Sequence, residues 1–348
     1  MKNDNKIRVG ISMGDLNGIG CEIIIKTFED PRMLDFCTPV VFGSNKVISY
    51  YAKALNVQLP FHGVEQAEKA VDGKFNVVNV WRDQPRISPG EETTEGGKYA
   101  LKSLKAAVFA LKHESIDVLV TAPISKQNIQ SEEFKFPGHT DYLEQELGGN
   151  ALMFMVSDEI RVGLLTDHVP VKEVSSHITE ERIRKKVTTI NDSLQTDFNI
   201  RRPRIAVLGI NPHTGDNGVI GTEDDEVMRP TIQALNDEGI MVFGPYAADS
   251  FFGSGNHKKF DAVVAAYHDQ GLIPFKTLAF GKGVNFTAGL NRVRTSPDHG
   301  TAFEIAGQGK ADHSSFEEAL FMAIDIYRNR SENEELRANQ LKKQSMKL

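Results

Sequence analysis

The stretch DAVVAAYHDQGLIPFK, Asp261–Lys276, gives the clearest indication of the fold. It opens with small and β-branched residues, Ala262–Ala266, which are typical of a buried strand in a parallel sheet. After Tyr267 the chain turns polar, beginning with His268. Ligands of open α/β sheets bind just beyond the carboxyl ends of the strands. We therefore expect His268 to lie in a functional site.

Two further strand-like runs end in the same way. Arg161–Thr166 leads into His168, and Arg204–Gly209 leads into His213. A single histidine at a strand end is more often a hydrogen-bonded structural residue than a ligand. Three such imidazoles with one open position, however, suit a divalent metal, most commonly zinc. We predict that His168, His213 and His268 are metal ligands.

The composition is that of a globular protein with an acidic surface. The chain has 348 residues, 40% of them hydrophobic and 25% charged, which is enough for two α/β lobes. A net charge of −7 argues against a nucleic acid partner. Two cysteines, Cys21 and Cys37, favour a reducing compartment over a disulfide scaffold. The pattern predicts neither a signal peptide nor a membrane span, so we expect a cytoplasmic protein without a membrane partner.

Strand-like and helix-like patterns alternate from the N-terminus onward. A strand at Ile7–Met13 precedes a helix at Ile19–Glu29, and the long helix Thr94–His113 precedes a strand at Asp117–Thr121. This rhythm predicts βαβ units, and therefore an α/β fold of mainly parallel sheets with flanking helices. A hairpin is expected further on, at 151–166.

The alternation is predicted to form two lobes. The turn-rich stretch Ser131–Thr140 ends the first half of the chain. Two helices near the C-terminus, Thr301–Gly307 and Phe316–Arg328, are expected to pack back on that first half. The first lobe would then be discontinuous, and the second would carry the predicted metal ligands. The predicted lobes are 1–136 plus 296–348, and 137–295.

A set of polar residues is suited to an anion near the metal. Lys276, Asn285 and Arg294 lie in an otherwise glycine-rich and apolar segment. A phosphate or carboxylate is held well by a point charge together with a bidentate fork. His139 and Thr140 open a predicted helix, with Thr140 as its N-cap, and the N–H groups of a helix start also favour an anion. These five residues are the predicted substrate contacts.

No common nucleotide-binding loop is present. Gly14–Gly20 lacks the spacing of G-x-G-x-x-G, and no G-x-x-x-x-G-K-[ST] occurs in the chain. The simplest interpretation of Gly14–Gly20 is a tight strand-to-helix turn, which can also lie near an anion. Asp249 is equally consistent with a residue that supports a ligand and with a helix cap.

Several long motifs resemble those of one enzyme family. The chain is similar over most of its length, to about residue 325, to the 4-hydroxythreonine-4-phosphate dehydrogenases of pyridoxal phosphate biosynthesis. One departure is Leu16-Asn17, where the family more often has Pro-Ala. The motifs that carry the resemblance are PGHTDYL (137–143), TDHVPVKEV (166–174), GINPHTGDNG (209–218), GPYAADSFF (244–252), AAYHDQGLIPFK (265–276) and GVNFTAGLNRVRTSPDHGTAFEIAG (283–307).

The resemblance implies a fold, a site and a cofactor. The fold is expected to be like that of isocitrate and isopropylmalate dehydrogenases, with the active site in an interlobe cleft and NAD bound without a Rossmann fingerprint. No residue is assigned to the cofactor, which is NAD or NADP. The metal, zinc, magnesium or cobalt, would be held by His168, His213 and His268. The implied substrate contacts are His139, Thr140, Lys276, Asn285 and Arg294.

The implied reaction is oxidation of 4-phosphooxy-L-threonine at its C3 hydroxyl group, followed by decarboxylation to 3-amino-2-oxopropyl phosphate. His268 takes part through the metal. Lys276 either assists proton removal or anchors the phosphate, and we favour the anchor. The family also implies a homodimer with a shared active site, in which His168 and His213 come from one chain and His268 comes from the other. The glycine-rich and apolar segment Gly271–Leu290 suits such an interface.

Other functions remain compatible with these residues. Relatives of the family act on phosphorylated threonate or erythronate and share the histidines. A metal-dependent phosphohydrolase would also require three histidines and a phosphate site. A binding protein without catalytic activity would keep the cleft but would not need the metal.

Overall fold

The computed structural model of the chain describes residues 6–131, 134–136 and 138–339. Pro137, where the predicted second lobe begins, and the two chain ends lie outside the described residues. Within the described ranges, one sheet of twelve strands is flanked by ten α-helices. The strands are β1 (Arg8–Ser12), β2 (Thr38–Gly43), β3 (His62–Val64), β4 (Asn76–Asn79), β5 (Val118–Thr121), β6 (Gly149–Val156), β7 (Arg161–Leu164), β8 (Ile205–Leu208), β9 (Val242–Tyr246), β10 (Ala262–Ala265), β11 (Val284–Leu290) and β12 (Val293–Pro297).

The sheet is parallel at both sides and antiparallel in its centre. Its order is β3-β4-β2-β1-β5-β12-β11-β6-β7-β10-β8-β9. The antiparallel pairings are β12 with β11, β11 with β6 and β6 with β7, and the last of these is the expected hairpin. The other pairings are parallel, which confirms the predicted α/β class. The helices are α1 (Gly20–Glu29), α2 (Met33–Phe36), α3 (Asn45–Ala54), α4 (Thr94–Lys112), α5 (His139–Leu147), α6 (Glu180–Thr196), α7 (Arg229–Asp237), α8 (Ala248–Gly253), α9 (His268–Leu278) and α10 (Ser314–Ala338).

The hydrophobic core differs between the two faces of the sheet. One face carries a single cluster that extends across nearly the whole width of the sheet, from Val77 on β4 to Val242 on β9. The opposite face carries two separate clusters, one around α4 and α5 and the other around α9. A cleft lies between these two clusters, over the central strands. Ile124, which packs against the α4 and α5 cluster, and Met153, which belongs to the α9 cluster, both line it.

The division of the chain into two lobes stays a prediction. Strands from 1–136 form one side of the sheet and strands from 137–290 form the other. β12 lies between them, paired with β5 on one edge and with β11 on the other. The hydrogen-bonded sheet therefore runs without a break from one predicted lobe to the next.

Two local predictions are wrong. Thr301–Gly307 forms no helix: its backbone makes successive i to i+3 turns, with Ala302 in the left-handed region at φ 44°. Thr140 is not an N-cap, because α5 already begins at His139 and is preceded by Gly138. No α-helix in the described part of the chain is long and apolar enough to span a membrane.

Candidate active site in the central cleft

The cleft has a volume of about 460 Å³ and lies over the central strands. Its inner part comes from the sheet itself: Thr121 ends β5, Asn285 lies on β11 and Arg294 lies on β12. Loops and helix ends surround this inner part and add Lys126 and His139, among others. The two predicted anion contacts Asn285 and Arg294 thus project from strands, and not from a loop.

Arg294 is a fully buried cation without an anionic partner. Its side chain is 1% exposed, and its guanidinium group donates to the hydroxyl oxygens of Thr121, at 3.1 and 2.5 Å, and of Thr287, at 3.0 Å. The described residues place no carboxylate against it, and burial alone lowers the pKa of Arg294 to about 9. The group is therefore protonated at neutral pH. Since a buried charge requires compensation, the cleft is suited to a ligand that carries negative charge.

Three further polar atoms around the cleft lack a partner among the described residues: Nε2 of His139, Oδ1 of Asn285 and Nε2 of His299. Buried polar atoms in folded proteins are nearly always hydrogen-bonded. Burial, with smaller contributions from the charges of Arg294 and Lys126, holds the pKa of His139 well below its ordinary value. A neutral imidazole can either donate or accept, so these atoms are available to a polar ligand.

The start of α5 adds unpaired backbone donors. Its N-cap, Gly138, has no side chain with which to cap the helix, and Gly138, His139 and Thr140 all line the cleft. The first N–H groups of a helix carry partial positive charge and have no partner within the helix. They reinforce the preference of the cleft for an anion.

His168 and His268 lie together at the ends of β7 and β10. Their ring centroids are 5.9 Å apart. Nδ1 of His268 is 2.7 Å from a carboxylate oxygen of Asp269, which leaves Nε2 of the same ring free. A carboxylate bonded to the far nitrogen is the usual support of a metal-ligating histidine. The two imidazoles of this pair are the kind of ligand that a divalent metal takes, and they could supply part of such a site.

His213 belongs to the same row of strand ends but is not grouped with the other two histidines. β7, β10 and β8 are neighbours in the sheet, so the three strands do end side by side, as predicted. Among the described residues, however, no three His, Cys, Asp or Glu side chains are close enough to hold one ion. A single chain therefore brings two of the three predicted metal ligands together.

The loop that carries His213 is held rigidly. Buried Asp224 accepts hydrogen bonds from the backbone N–H groups of Ile210 and Asn211, at 3.0 and 3.1 Å. His213 itself has a left-handed backbone, with φ 53°, which is strained for a residue other than glycine. The backbone N–H of Ser250 lowers the pKa of Asp249, at the start of α8, and a smaller contribution comes from the nearby His213.

Lys276 does not line the cleft of its own chain. It lies on α9 with an exposed side chain, and its Nζ is 3.7 Å from a carboxylate oxygen of Asp298. Burial raises the pKa of Asp298, and the nearby charge of Lys276 opposes that effect. The predicted role of Lys276 as a phosphate anchor stays a prediction.

Thr121, Lys126 and His299 are among the polar cleft residues that the sequence interpretation missed. Thr121 and Lys126 had a detectable signal, because they end or follow a strand in the same way as the predicted histidines. His299 had none, since a histidine in a loop is an ordinary surface residue. Gln270 was also missed, although it donates to the carbonyl of Gly209 at 2.7 Å and so ties the end of β8 to α9.

Replacing the buried cation should stabilise the protein in the absence of an anion. Replacing a buried ion pair by apolar side chains of similar volume is often neutral or stabilising by about 1–4 kcal/mol, and we expect a stabilisation within this range for removal of a single buried cation. We expect Arg294→Met to raise the melting temperature by several degrees in phosphate-free buffer. Added phosphate should raise the melting temperature of the wild type and leave that of the variant unchanged. Equal phosphate shifts in both proteins, measured by scanning calorimetry, would place the anion elsewhere.

The fold and the cleft define an α/β protein with a pocket over the centre of its sheet that is lined by the buried cation Arg294. Residues 35–323 match the model of the family described as pyridoxal phosphate biosynthetic protein PdxA, and the chain belongs to that family. A 4-hydroxythreonine-4-phosphate dehydrogenase from Bacteroides thetaiotaomicron is 50% identical over 98% of this chain and 94% of its own. One from Prosthecochloris aestuarii is 40% identical over 92% of this chain and 97% of its own.

The similarity extends to solved structures. A crystal structure of 4-hydroxythreonine-4-phosphate dehydrogenase from Klebsiella pneumoniae superposes with a TM-score of 0.80 at 30% identity, over 94% of this chain and 99% of the other. The named relatives are dehydrogenases, so the family is one of oxidoreductases.

Proposed function

We propose that this chain oxidises 4-phosphooxy-L-threonine at its C3 hydroxyl group, with NAD or NADP as acceptor and a divalent metal bound in the cleft. Oxidation removes the hydroxyl proton, which passes to solvent, and a hydride from C3, for which a bound nicotinamide would be the acceptor, and the product is a ketone. The resulting β-keto acid then loses CO₂ as its C1–C2 bond breaks. The electron pair passes to C2, which takes up a proton to give 3-amino-2-oxopropyl phosphate. The names of the relatives support this substrate.

The observation that carries the proposal is the uncompensated charge of Arg294. In the described part of the chain the guanidinium group donates to hydroxyl groups alone, and a phosphate dianion is its natural bidentate partner. Asn285, His139 and the start of α5 offer further hydrogen bonds to the same group. These residues hold the phosphate and fix the position of the rest of the substrate.

The metal is assigned to the histidines. His168 and His268 fit it in part, since they offer two imidazoles, one of them supported by Asp269. When bound, a divalent metal lowers the pKa of an alcohol and stabilises the negative charge that develops on its oxygen. His213 remains the proposed third ligand. A nicotinamide cofactor would supply the hydride acceptor, and its place in the proposal rests on the family.

We further propose a homodimer in which each site uses both chains. The predicted interface segment, Gly271–Leu290, exposes large apolar side chains: Ile273 is 65% exposed and Phe280 is 90% exposed. Exposed apolar surface of this kind favours a second copy of the chain. The grouping of the histidines supports a particular division, with His168 and His268 from one chain and His213 from its partner. It differs from the division that the family resemblance implied.

One assay tests the proposed reaction. Purified protein is mixed with 4-phosphooxy-L-threonine and NAD, and NADH absorbance is followed before and after removal of metal with a chelator. We expect NADH to form, its formation to stop after chelation, and its formation to resume when zinc, magnesium or cobalt is added. Release of inorganic phosphate without NADH would establish a phosphohydrolase instead. The same assay with 4-phosphothreonate and 4-phosphoerythronate, and with NADP, shows which substrate and cofactor give the highest kcat/KM.

A further inference from the structure

The cleft contains a cation that the predicted substrate contacts do not include. Lys126, in the loop after β5, lines the cleft together with Arg294 and Asn285. Its Nζ is 3.4 Å from Nε2 of His168. Within the described ranges this ammonium group is paired with an imidazole and with no carboxylate, which leaves its charge available to a ligand.

The charge of Lys126 acts on the same histidines that line the cleft. After burial, which has the largest effect, Lys126 lowers the pKa of His168. It also contributes to the low pKa of His139, after burial and Arg294. Lys126 thus lies between the histidine of the predicted metal site and the start of α5, next to Gly138.

The loop that carries Lys126 is fixed by a buried carboxylate. Asp15, 1% exposed, accepts a hydrogen bond from Nδ2 of Asn128 at 3.2 Å. Its own backbone N–H donates to the carbonyl of Pro123 at 2.9 Å. Both ends of the 123–128 loop are thereby tied to the turn after β1. A surface loop without a positional requirement has no need of such an internal support, because burying a carboxylate is costly.

We propose that Lys126 binds the carboxylate of the substrate. The inference rests on the proposed function, because it follows from the shape of 4-phosphooxy-L-threonine. In that molecule C3, the carbon that is oxidised, lies between C2, which carries the carboxylate, and C4, which carries the phosphate, so the two anionic groups extend in opposite directions from it. With the C3 hydroxyl group at the His168–His268 pair and the phosphate directed toward Arg294, the carboxylate is left to Lys126, the cation beside His168. The phosphate then extends to the buried guanidinium group of Arg294.

Two unreactive ligands separate this role from phosphate binding. O-Phospho-L-homoserine is the substrate without its C3 hydroxyl group. 3-Aminopropyl phosphate is O-phospho-L-homoserine without its carboxylate. Their dissociation constants are measured by calorimetry for the wild type and for Lys126→Met. A charge-assisted hydrogen bond corresponds to about 10- to 100-fold in affinity. We expect Lys126→Met to weaken the binding of phosphohomoserine by that factor. The dissociation constant of 3-aminopropyl phosphate should change by no more than about threefold.

Matched variants exclude a purely structural effect. Lys126→Arg keeps the charge and should retain most of the affinity for phosphohomoserine, and Lys126→Gln is a second neutral variant in case the methionine variant folds poorly. Arg294→Met should weaken both ligands alike, because both carry the phosphate. Arg182 is a second cation that lines the cleft, 3.4 Å from Nδ1 of His177, and Arg182→Met should not discriminate between the ligands.

The possible results distinguish the two proposals. If Lys126→Met lowers the affinity for both ligands equally, or for neither, Lys126 does not bind the carboxylate, while the proposed function stands. Selective weakening by Arg182→Met instead would transfer the role to Arg182. A wild-type protein that binds neither ligand would overturn the proposed substrate, and the inference about Lys126 with it.

Discussion

Two inactive variants, His213→Ala and His268→Ala, should recover about a quarter of wild-type activity when they are unfolded together and refolded as a mixture. In a dimer with shared sites, a mixed pair has one site with both substitutions and one site with none. Random association makes about half of the dimers mixed, and each of these has one intact site of two. The measurement is NADH formation, with the fraction of mixed dimers determined by native mass spectrometry.

The choice of pairs shows which histidines share a chain. With His168 and His268 on one chain, as their 5.9 Å separation favours, His168→Ala should complement His213→Ala but not His268→Ala. The division implied by the family resemblance gives the opposite pattern: His168→Ala then complements His268→Ala and not His213→Ala. Mixed dimers without recovered activity in every combination would mean that each site is built from one chain.

Removing any one of the three histidines should reduce turnover by about a thousandfold or more. A bound metal contributes several kcal/mol to stabilising an oxygen anion, and each 1.36 kcal/mol corresponds to about tenfold in rate. His168→Ala, His213→Ala and His268→Ala should therefore lose bound metal and activity together while their circular dichroism spectra are unchanged. Metal content by mass spectrometry is a readout that does not depend on the assay.

Two controls calibrate these losses. Asp269→Asn keeps all three imidazoles but weakens the support of His268, so metal affinity should fall by about 10- to 100-fold. His62→Ala removes a histidine on β3, at the edge of the sheet, and should retain metal and activity. A histidine variant with normal metal content and turnover would not be a ligand.

The elements of the fold that follow from local sequence were predictable. The apolar runs of β7, β8 and β10, each followed by a polar loop with a histidine, were recognised as strands, and the structure places the three side by side in the sheet. β11 and β12 were not predicted, because Gly289 and the polar residues Asn285 and Arg294 resemble a loop. Only the pairing of β12 with β5, far away in sequence, buries the arginine.

The candidate site was predictable in its residue types more than in its arrangement. Sequence spacing cannot show that Arg294 faces the hydroxyl of Thr121, or that Lys276 is paired with Asp298. It also cannot show which histidines approach one another, since that depends on where each loop turns after its strand. The left-handed backbone of His213 is one such turn.

The unbroken sheet constrains how the two sides of the molecule can move. Opening a hinge between β5 and β11 would require breaking the hydrogen bonds that β12 makes to both, whereas a change in sheet twist would keep them. Any closing of the cleft is thus an elastic deformation that spreads over many strands. Such a motion has no few-residue pivot, so a single substitution in a connecting loop cannot lock the molecule open or shut.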